Sequence, residues 1–134
     1  MRRFIARHHL DAFRFNPNFP VNTLQIMRGA VAAQQLGVFE PYVDAVYQAM
    51  WVKGLKMDDP AVIRQAFVDA GLPADRLLEL MSDPRVKAKL IENTESAVAH
   101  GVFGSPSFLV GDELFFGKDR LRDVEEEISA GAAA

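Results

Sequence analysis

A Gly-Ser-Pro-Ser segment at residues 104–107 is the part of this sequence best suited to bind a ligand through the backbone. It follows a helical stretch and a short apolar bend, and it enters a β-rich run. Most X-Pro bonds are trans, since only about 5–6% of them are cis in folded proteins. A cis bond at Pro106 would expose the N–H and C=O of Ser105, and an extended peptide could pair with them as an added strand. The position of the segment and the residues that follow it favour the cis form.

A second set of charged groups follows at residues 117–121 (Gly-Lys-Asp-Arg-Leu), where the last helix begins. The free N–H groups and dipole at a helix N-terminus attract a carboxylate, and Asp119 could pair with an α-ammonium. Lys118 and Asp119 could therefore hold the zwitterionic end of a peptide. Taken alone, the two residues are explained more simply by Asp119 capping the first turn of the helix.

Composition limits the class of protein. The chain has 134 residues, 49% hydrophobic and 25% charged, as expected for one globular domain with a core. Fifteen Lys and Arg are scattered among eighteen Asp and Glu, so we expect no nucleic-acid partner. No apolar run approaches the roughly 20 residues that span a bilayer, and we expect a cytoplasmic protein with no membrane partner. The sequence has no Cys, which excludes a dithiol centre in these residues, and it shows no metal-ligand spacing.

The elements that position these groups are mainly helices, each bounded by Gly, Pro or Asp. We predict helices over 2–10, 23–36, 40–54, 59–70, 72–81 and 82–100, a structured loop at 11–21, a hairpin over 107–116 and a last helix. The residues expected to face the core are Leu24, Met27, Val31 and Leu36 in the second helix, Val86, Leu90, Thr94, Ala97 and Val98 in the sixth, and Leu121, Val124 and Ile128 in the last. We therefore divide the chain into a helical part at 1–101, a C-terminal ββα part at 102–130 and a tail at 131–134.

The predicted hairpin is apolar on both faces, because Leu109 and Phe115 alternate with other apolar residues. Two strands alone are marginal in water, so further strands are expected to pair with them. These strands would come from residues upstream of this chain or from another chain. Alternatively, the fold is a reduced one that lacks them. The first predicted helix also starts without a capping residue, which suggests a truncated sequence.

The residues from 101 to 121 resemble the C-terminal signature of 2-hydroxychromene-2-carboxylate isomerases and kappa-class glutathione transferases. The similarity extends to Phe-Pro-Val-Asn-Thr-Leu at 19–24, to Met27 and Arg28, to Trp51, and to Asp-Asp-Pro-Ala at 58–61. It covers essentially the whole chain. It implies an α/β, mostly helical, thioredoxin-like fold of the DsbA type, truncated to a helical insertion followed by the cis-Pro hairpin and the C-terminal helix.

The resemblance implies glutathione as the cofactor. Ser105 would be the backbone partner of its cysteinyl part, Pro106 the cis-proline, and Lys118 with Asp119 would bind the γ-glutamyl end. Lys118 departs from the small or amide residue expected in the family. In relatives a serine activates the thiol, but no serine of this chain matches it, so the catalytic residue is unknown and we do not expect the chain alone to be active.

The resemblance also implies a small aromatic acid as the substrate, with Asn22, Arg28 and Trp51 near it, and a homodimer. The implied activity is a glutathione-dependent isomerisation of aromatic-degradation intermediates. Other interpretations stay open for each residue: an N-cap for Asn22, a surface or salt-bridged position for Arg28, and the core for Trp51 with Tyr42 and Tyr47.

Two further functions stay open. One is a DsbA-like thiol oxidoreductase or a glutathione transferase relative with another substrate, which an upstream Cys-X-X-Cys would favour. The other is a non-catalytic helical interaction domain that completes its sheet by dimerisation.

Overall fold

The structure is a computed structural model that describes residues 2–131. Its helices are α1 Arg2–Arg7, α2 Leu24–Gln35, α3 Phe39–Trp51, α4 Pro60–Asp69, α5 Ala74–Ser82, α6 Pro84–Ala99 and α7 Leu121–Gly131, and its strands are β1 Ser107–Val110 and β2 Glu113–Phe116. A 3₁₀ turn, Lys118–Arg120, precedes α7. The predicted helices and hairpin are confirmed, although α1 and α3 each end about one turn earlier than predicted. None of the helices described is both long and apolar enough to cross a membrane.

Two compact units divide the chain, a first unit up to Leu90 and a second unit from Ile91 onward. Local signals set the helix ends in the first unit. Asp59 caps α4 by accepting a hydrogen bond from the N–H of Ala61 at 2.9 Å, and Pro60 occupies the first turn, where its missing N–H costs nothing. Gly37 ends α2 with a φ of 70°, a left-handed conformation that favours glycine.

The core of the first unit lies among α2, α3, α4 and α5. Tyr42 and Phe67 are fully buried there with their ring centroids 5.3 Å apart, and the Tyr42 hydroxyl donates to the carbonyl of Ile26 at 2.7 Å. Burial raises the pKa of Tyr42, so its hydroxyl stays protonated and serves as a donor. A Cβ at Gly29 would lie 2.1 Å from the Tyr42 oxygen, so this glycine makes room for the ring.

The predicted inner face of α2 is wrong in part. Val31 is buried as expected, but Leu24 and Met27 are 47% and 48% exposed. The buried positions of the helix are Ile26, Gly29, Val31, Ala32 and Ala33. Small residues let α2 approach its neighbours closely. The face of α2 that contacts the core is therefore the one that carries Gly29, Ala32 and Ala33, and not the one that carries Leu24 and Met27.

The loop at 11–21 is structured, as predicted, and a buried asparagine organises it. The Nδ2 of Asn16 donates to the carbonyls of Met50 at 3.1 Å and Leu55 at 2.8 Å, while its Oδ1 accepts from the N–H of Asn18 at 2.8 Å. The Phe19–Pro20 peptide bond is cis. The loop is therefore attached firmly to the end of α3.

In the second unit, β1 and β2 pair antiparallel with Ser107 opposite Phe116 and Val110 opposite Glu113. This register leaves a two-residue Gly-Asp turn at 111–112. Helix α7 packs on β1, and Val124 is its buried residue.

Much of the apolar surface of the second unit is open. In α7, Leu121 and Ile128 are more than half exposed, and in α6 Val98 is 63% exposed and Thr94 is exposed, so the inward placement of these four residues is wrong. The reason is that no other described element of this unit covers these faces. The apolar hairpin residues Leu109 and Phe116 are also nearly half exposed, whereas Val86, within the first unit, is buried as predicted.

Candidate functional site

The Ser105–Pro106 peptide bond is cis, as the sequence predicts. Two hydrogen bonds hold the loop that contains it. The hydroxyl of Ser107 donates to the carbonyl of Gly104 at 2.7 Å, and the N–H of Gly117 donates to the carbonyl of Pro106 at 2.9 Å. The loop is thus anchored both to its own strand and to the segment after β2.

Ser105 is exposed, and within residues 2–131 neither its N–H nor its C=O takes part in a hydrogen bond. Exposed backbone groups of this kind are the ones that an extended peptide uses when it pairs as an added strand. The loop therefore offers one donor and one acceptor to a peptide ligand.

Two aromatic rings stand beside this loop, and the sequence reasoning missed them. The rings of Phe103 and Phe116 are 4.6 Å apart, and Phe103 is 75% exposed. Gly104 lies against the Phe116 ring, because a Cβ there would be 2.7 Å from it. A glycine between a phenylalanine and the cis-proline segment was the available signal for this close approach.

Lys118 and Asp119 form an ion pair at the start of the 3₁₀ turn. The Nζ of Lys118 lies 2.5 Å from Oδ1 of Asp119, and this hydrogen bond, with the positive charge of Lys118, lowers the pKa of Asp119. The residue before the pair, Gly117, has a φ of 99°, which favours glycine. The N-cap interpretation of Asp119 is wrong, because Gly117 takes the cap position and no side chain caps the turn.

The other three candidate residues lie in the first unit, and Arg28 is the most unusual of them. Arg28 is half-buried, and its Nε is a buried donor with no hydrogen-bond partner in the described part of the chain. Arg28 is therefore not a free surface residue, and among the described residues it forms no salt bridge. Buried donors normally have partners, so this guanidinium is a candidate for an anion ligand.

Asn22 is exposed and acts in the local turn. Its Oδ1 accepts from the N–H of Leu24 at 3.1 Å, and its own N–H donates to the Asp58 carboxylate at 3.4 Å. Thr23 occupies the cap position of α2 without a side-chain hydrogen bond. These contacts account for Asn22 as a residue that starts the helix.

Trp51 belongs to an aromatic cluster at the 11–21 loop. Its ring lies 5.9 Å from that of Phe13 in a stacked arrangement and 6.3 Å from that of Phe19, which is 66% exposed. Tyr42 is in the core, and Tyr47 is largely exposed, so these two tyrosines do not line one surface with Trp51. Sequence reasoning found Trp51 and missed its phenylalanine neighbours.

The structure therefore brings Ser105, Pro106, Lys118 and Asp119 together through the hydrogen bond between Gly117 and Pro106. It holds Asn22, Arg28 and Trp51 in the other unit. Residues 2–131 contain no group of three or more His, Cys, Asp or Glu that could hold a metal ion.

Comparison with known proteins identifies the family. The model of the DSBA-like thioredoxin domain matches residues 3–129 of this chain. The chain belongs to that family. A solved structure of a 2-hydroxychromene-2-carboxylate isomerase superposes with a TM-score of 0.76 at 23% identity, covering 90% of this chain and 58% of the other. The predicted fold, a mostly helical DsbA-like thioredoxin fold with a small antiparallel sheet, is confirmed.

Curated relatives of this DSBA-like chain carry two names. A 2-hydroxychromene-2-carboxylate isomerase from Sphingobium xenophagum is 35% identical over 64% of this chain and 44% of its own length. Glutathione S-transferase kappa 1 from Homo sapiens is 27% identical over 87% of this chain and 58% of its own length. The chain spans about half the length of the curated relatives it matches. Its resemblance to an isomerase and transferase family is thus confirmed.

Proposed function

We propose that this chain supplies the glutathione-binding side of a glutathione-dependent isomerase of the 2-hydroxychromene-2-carboxylate isomerase type. The observation that carries the proposal is the unpaired backbone of Ser105 at the cis-proline loop, with the Asp119 carboxylate on the segment hydrogen-bonded to that loop. The relatives named 2-hydroxychromene-2-carboxylate isomerase support the proposed isomerisation, and the relative named glutathione S-transferase supports glutathione as the cofactor.

In the proposed mode of binding, the cysteinyl part of glutathione pairs with the N–H and C=O of Ser105, and Asp119 binds the α-ammonium of the γ-glutamyl end. The hydrogen bonds from Ser107 and Gly117 keep the loop in place, so little ordering is needed when the peptide binds. When bound, glutathione supplies a thiolate that adds reversibly to an unsaturated substrate and is regenerated.

We propose a small aromatic acid from aromatic degradation as the substrate. Arg28 is suited to its carboxylate, because its guanidinium has a buried Nε without a partner among the described residues. The aromatic cluster of Trp51 and Phe19 is suited to its ring. Asn22 is the weakest of the three candidates, since its amide already holds the start of α2.

Isothermal titration of the folded 134-residue chain with glutathione tests the proposal. We expect saturable binding, weakened about fivefold by Asp119→Asn, since an exposed charge contact contributes up to about 1 kcal/mol. Asp112→Asn in the hairpin turn removes the same charge from an exposed position and is expected to leave binding unchanged. A folded chain that takes up no glutathione would contradict the proposal.

A second candidate function is an interaction module that completes its sheet by dimerisation. The exposed apolar residues Leu109 and Phe116 of the hairpin favour it, because two strands with open apolar residues gain from a further partner. A homodimer is also compatible with the isomerase proposal. Light scattering measures the mass in solution, and a glutathione-binding monomer would remove this candidate.

A further inference from the structure

The outer edge of β2 has no hydrogen-bond partner. The N–H of Gly117 donates to the carbonyl of Pro106 at 2.9 Å, so these two residues form a bonded pair that continues the register of the hairpin. Bonded and non-bonded pairs alternate along an antiparallel ladder. Phe116 and Leu114 therefore belong to non-bonded pairs, and their N–H and C=O groups point away from β1. Within residues 2–131 these groups form no hydrogen bond.

The same strand carries exposed aromatic surface. Phe116 is 44% exposed, and the ring of Phe103, which is 75% exposed, lies 4.6 Å from it. Aromatic rings beside an open strand edge are surface that a partner can bury while its backbone pairs with the edge. The edge of β2 therefore offers a partner both hydrogen bonds and apolar contact.

This edge is complementary to itself. When two copies of β2 run antiparallel about a two-fold axis at Phe115, Leu114 of each copy lies opposite Phe116 of the other. Both residues have outward N–H and C=O groups, so each of these symmetric pairs exchanges two hydrogen bonds. Each pair also places an aliphatic side chain beside an aromatic ring, a cross-strand contact that stabilises antiparallel sheets.

The charges at the two ends of β2 favour the same register. Asp112 and Glu113 lie at the start of the strand, and Lys118 follows shortly after its end. The two-fold register brings Asp112 of each copy to the Lys118 end of the other, and opposite charges at facing positions are stabilising. Lys118 need not leave Asp119 for this contact, because its ammonium has three donors.

We propose that a second copy of this chain pairs with the outer edge of β2, so that the two-stranded sheet of each copy becomes half of a four-stranded sheet. This inference goes beyond the proposed function and does not depend on glutathione binding. The outer edge of β1 is not used in the dimer, so the backbone of Ser105 stays available to a peptide.

The test measures the mass of the 134-residue chain by sedimentation equilibrium over a range of concentrations, without glutathione. We expect a monomer–dimer equilibrium, and Asp112→Lys is expected to raise the dimer Kd about tenfold, because two exposed charge contacts turn from attraction to repulsion. Asp44→Lys makes the same change of charge at an exposed position of α3 and is expected to leave the dimer Kd unchanged. Circular dichroism checks that both variants are folded.

Amide exchange followed by NMR locates the pairing in the unaltered chain, so this part of the test does not rely on a variant. In the dimer, the N–H groups of Leu114 and Phe116 are expected to exchange at least about tenfold more slowly than in the dilute monomer. The N–H groups of Glu113 and Phe115 point toward β1 and are expected to change little.

Three outcomes would overturn the inference. A chain that stays monomeric at every concentration would leave the edge of β2 to a strand of another protein. A dimer whose slowed amides are Ser107 and Leu109 would pair along β1 instead. A dimer that Asp112→Lys and Asp44→Lys weaken equally would not have the two-fold register. Each of these outcomes leaves the proposed function standing, because no glutathione is present, and a chain that takes up no glutathione leaves the dimer standing.

Discussion

The two units of this chain keep their shape by different means. The first unit buries a continuous set of large side chains, among them Tyr42, Met57 and Phe67. Among the described residues from Ile91 onward, Val124 is the one buried hydrophobic side chain. The cis-proline loop in that second unit is held by one hydrogen bond from the Ser107 hydroxyl, by one from the N–H of Gly117, and by glycines at 104 and 117.

This difference has a consequence for function. Burial in the first unit stabilises the fold, and it leaves few polar groups without partners. In the second unit the backbone of Ser105 and the charges of Lys118 and Asp119 stay open to solvent. The groups proposed to bind glutathione therefore lie where substitution changes binding more than stability.

The largest expected effect separates the two units directly. Phe67→Ala removes a fully buried ring, and we expect it to lower the free energy of unfolding by about 3–5 kcal/mol. Phe116→Ala removes a ring that is 44% exposed and should cost much less. Urea unfolding followed by circular dichroism measures the loss in both variants, and the fluorescence of Trp51, the only tryptophan of the sequence, reports on the first unit. Equal shifts from both variants would contradict the contrast between the units.

The sequence predicted most of the fold because local chemistry sets it. Asp59 and Pro60 mark the start of α4, and Gly37 marks the end of α2. These local signals do not depend on the tertiary structure. The inner face of α2 was partly wrong because the fit of Tyr42 over Gly29 is a tertiary contact that periodicity does not contain. The buried role of Asn16 was missed for a related reason, since an asparagine beside a proline in a loop looks like an ordinary turn residue.

The candidate site was predicted about as far as motifs allow. The cis bond at Pro106 follows from a local motif and is confirmed. The pairing of Lys118 with Asp119 and the unpartnered Nε of Arg28 depend on three-dimensional surroundings, and neither was predicted. The spacing of residues in a sequence shows which groups are near one another along the chain. It says little about which hydrogen bonds and ion pairs they form.

Asn16 provides the next test, within the first unit. Asn16→Ala leaves the carbonyls of Met50 and Leu55 without their donor, and we expect a loss of about 2 kcal/mol. Asn18→Ala is the matched control, because Asn18 is exposed and donates to the carbonyl of Gly54. Its loss should be below about 1 kcal/mol. Similar losses in urea unfolding would show that the loop is not anchored through Asn16.

A pair of glycines sharpens the comparison further. Gly29→Ala places a methyl group 2.1 Å from the Tyr42 oxygen in a packed core, and we expect a cost of about 1–3 kcal/mol. Gly104→Ala meets the Phe116 ring at 2.7 Å, but this ring is exposed enough to shift, so the cost should be below about 1 kcal/mol. Gly104→Ala is expected to weaken glutathione binding, while Gly29→Ala leaves the affinity of the folded fraction unchanged. Thermal unfolding and calorimetry measure the two effects, and a reversed order would contradict the contrast.

The smallest expected effect is a change of pKa at the candidate site with almost no change in stability. The hydrogen bond from Lys118 and its positive charge lower the pKa of Asp119, so the ionised carboxylate persists to lower pH than usual. A carboxyl whose pKa is lowered by folding gives its stabilisation above the unfolded pKa and loses it as the pH falls through the folded pKa. Asp119 is fully exposed, so its ionisation changes the free energy of unfolding too little to be measured. The pKa of the carboxyl is therefore measured by NMR titration.

Lys118→Gln is expected to raise the pKa of Asp119 toward its ordinary value. Asp83 serves as the internal control in the same spectra, because the hydrogen bond from Arg85 lowers its pKa within the first unit and the substitution does not touch that pair. An Asp119 pKa that is the same in both proteins would show that the ion pair with Lys118 does not form in solution. In that case Asp119 would be open to a ligand ammonium without displacement of Lys118.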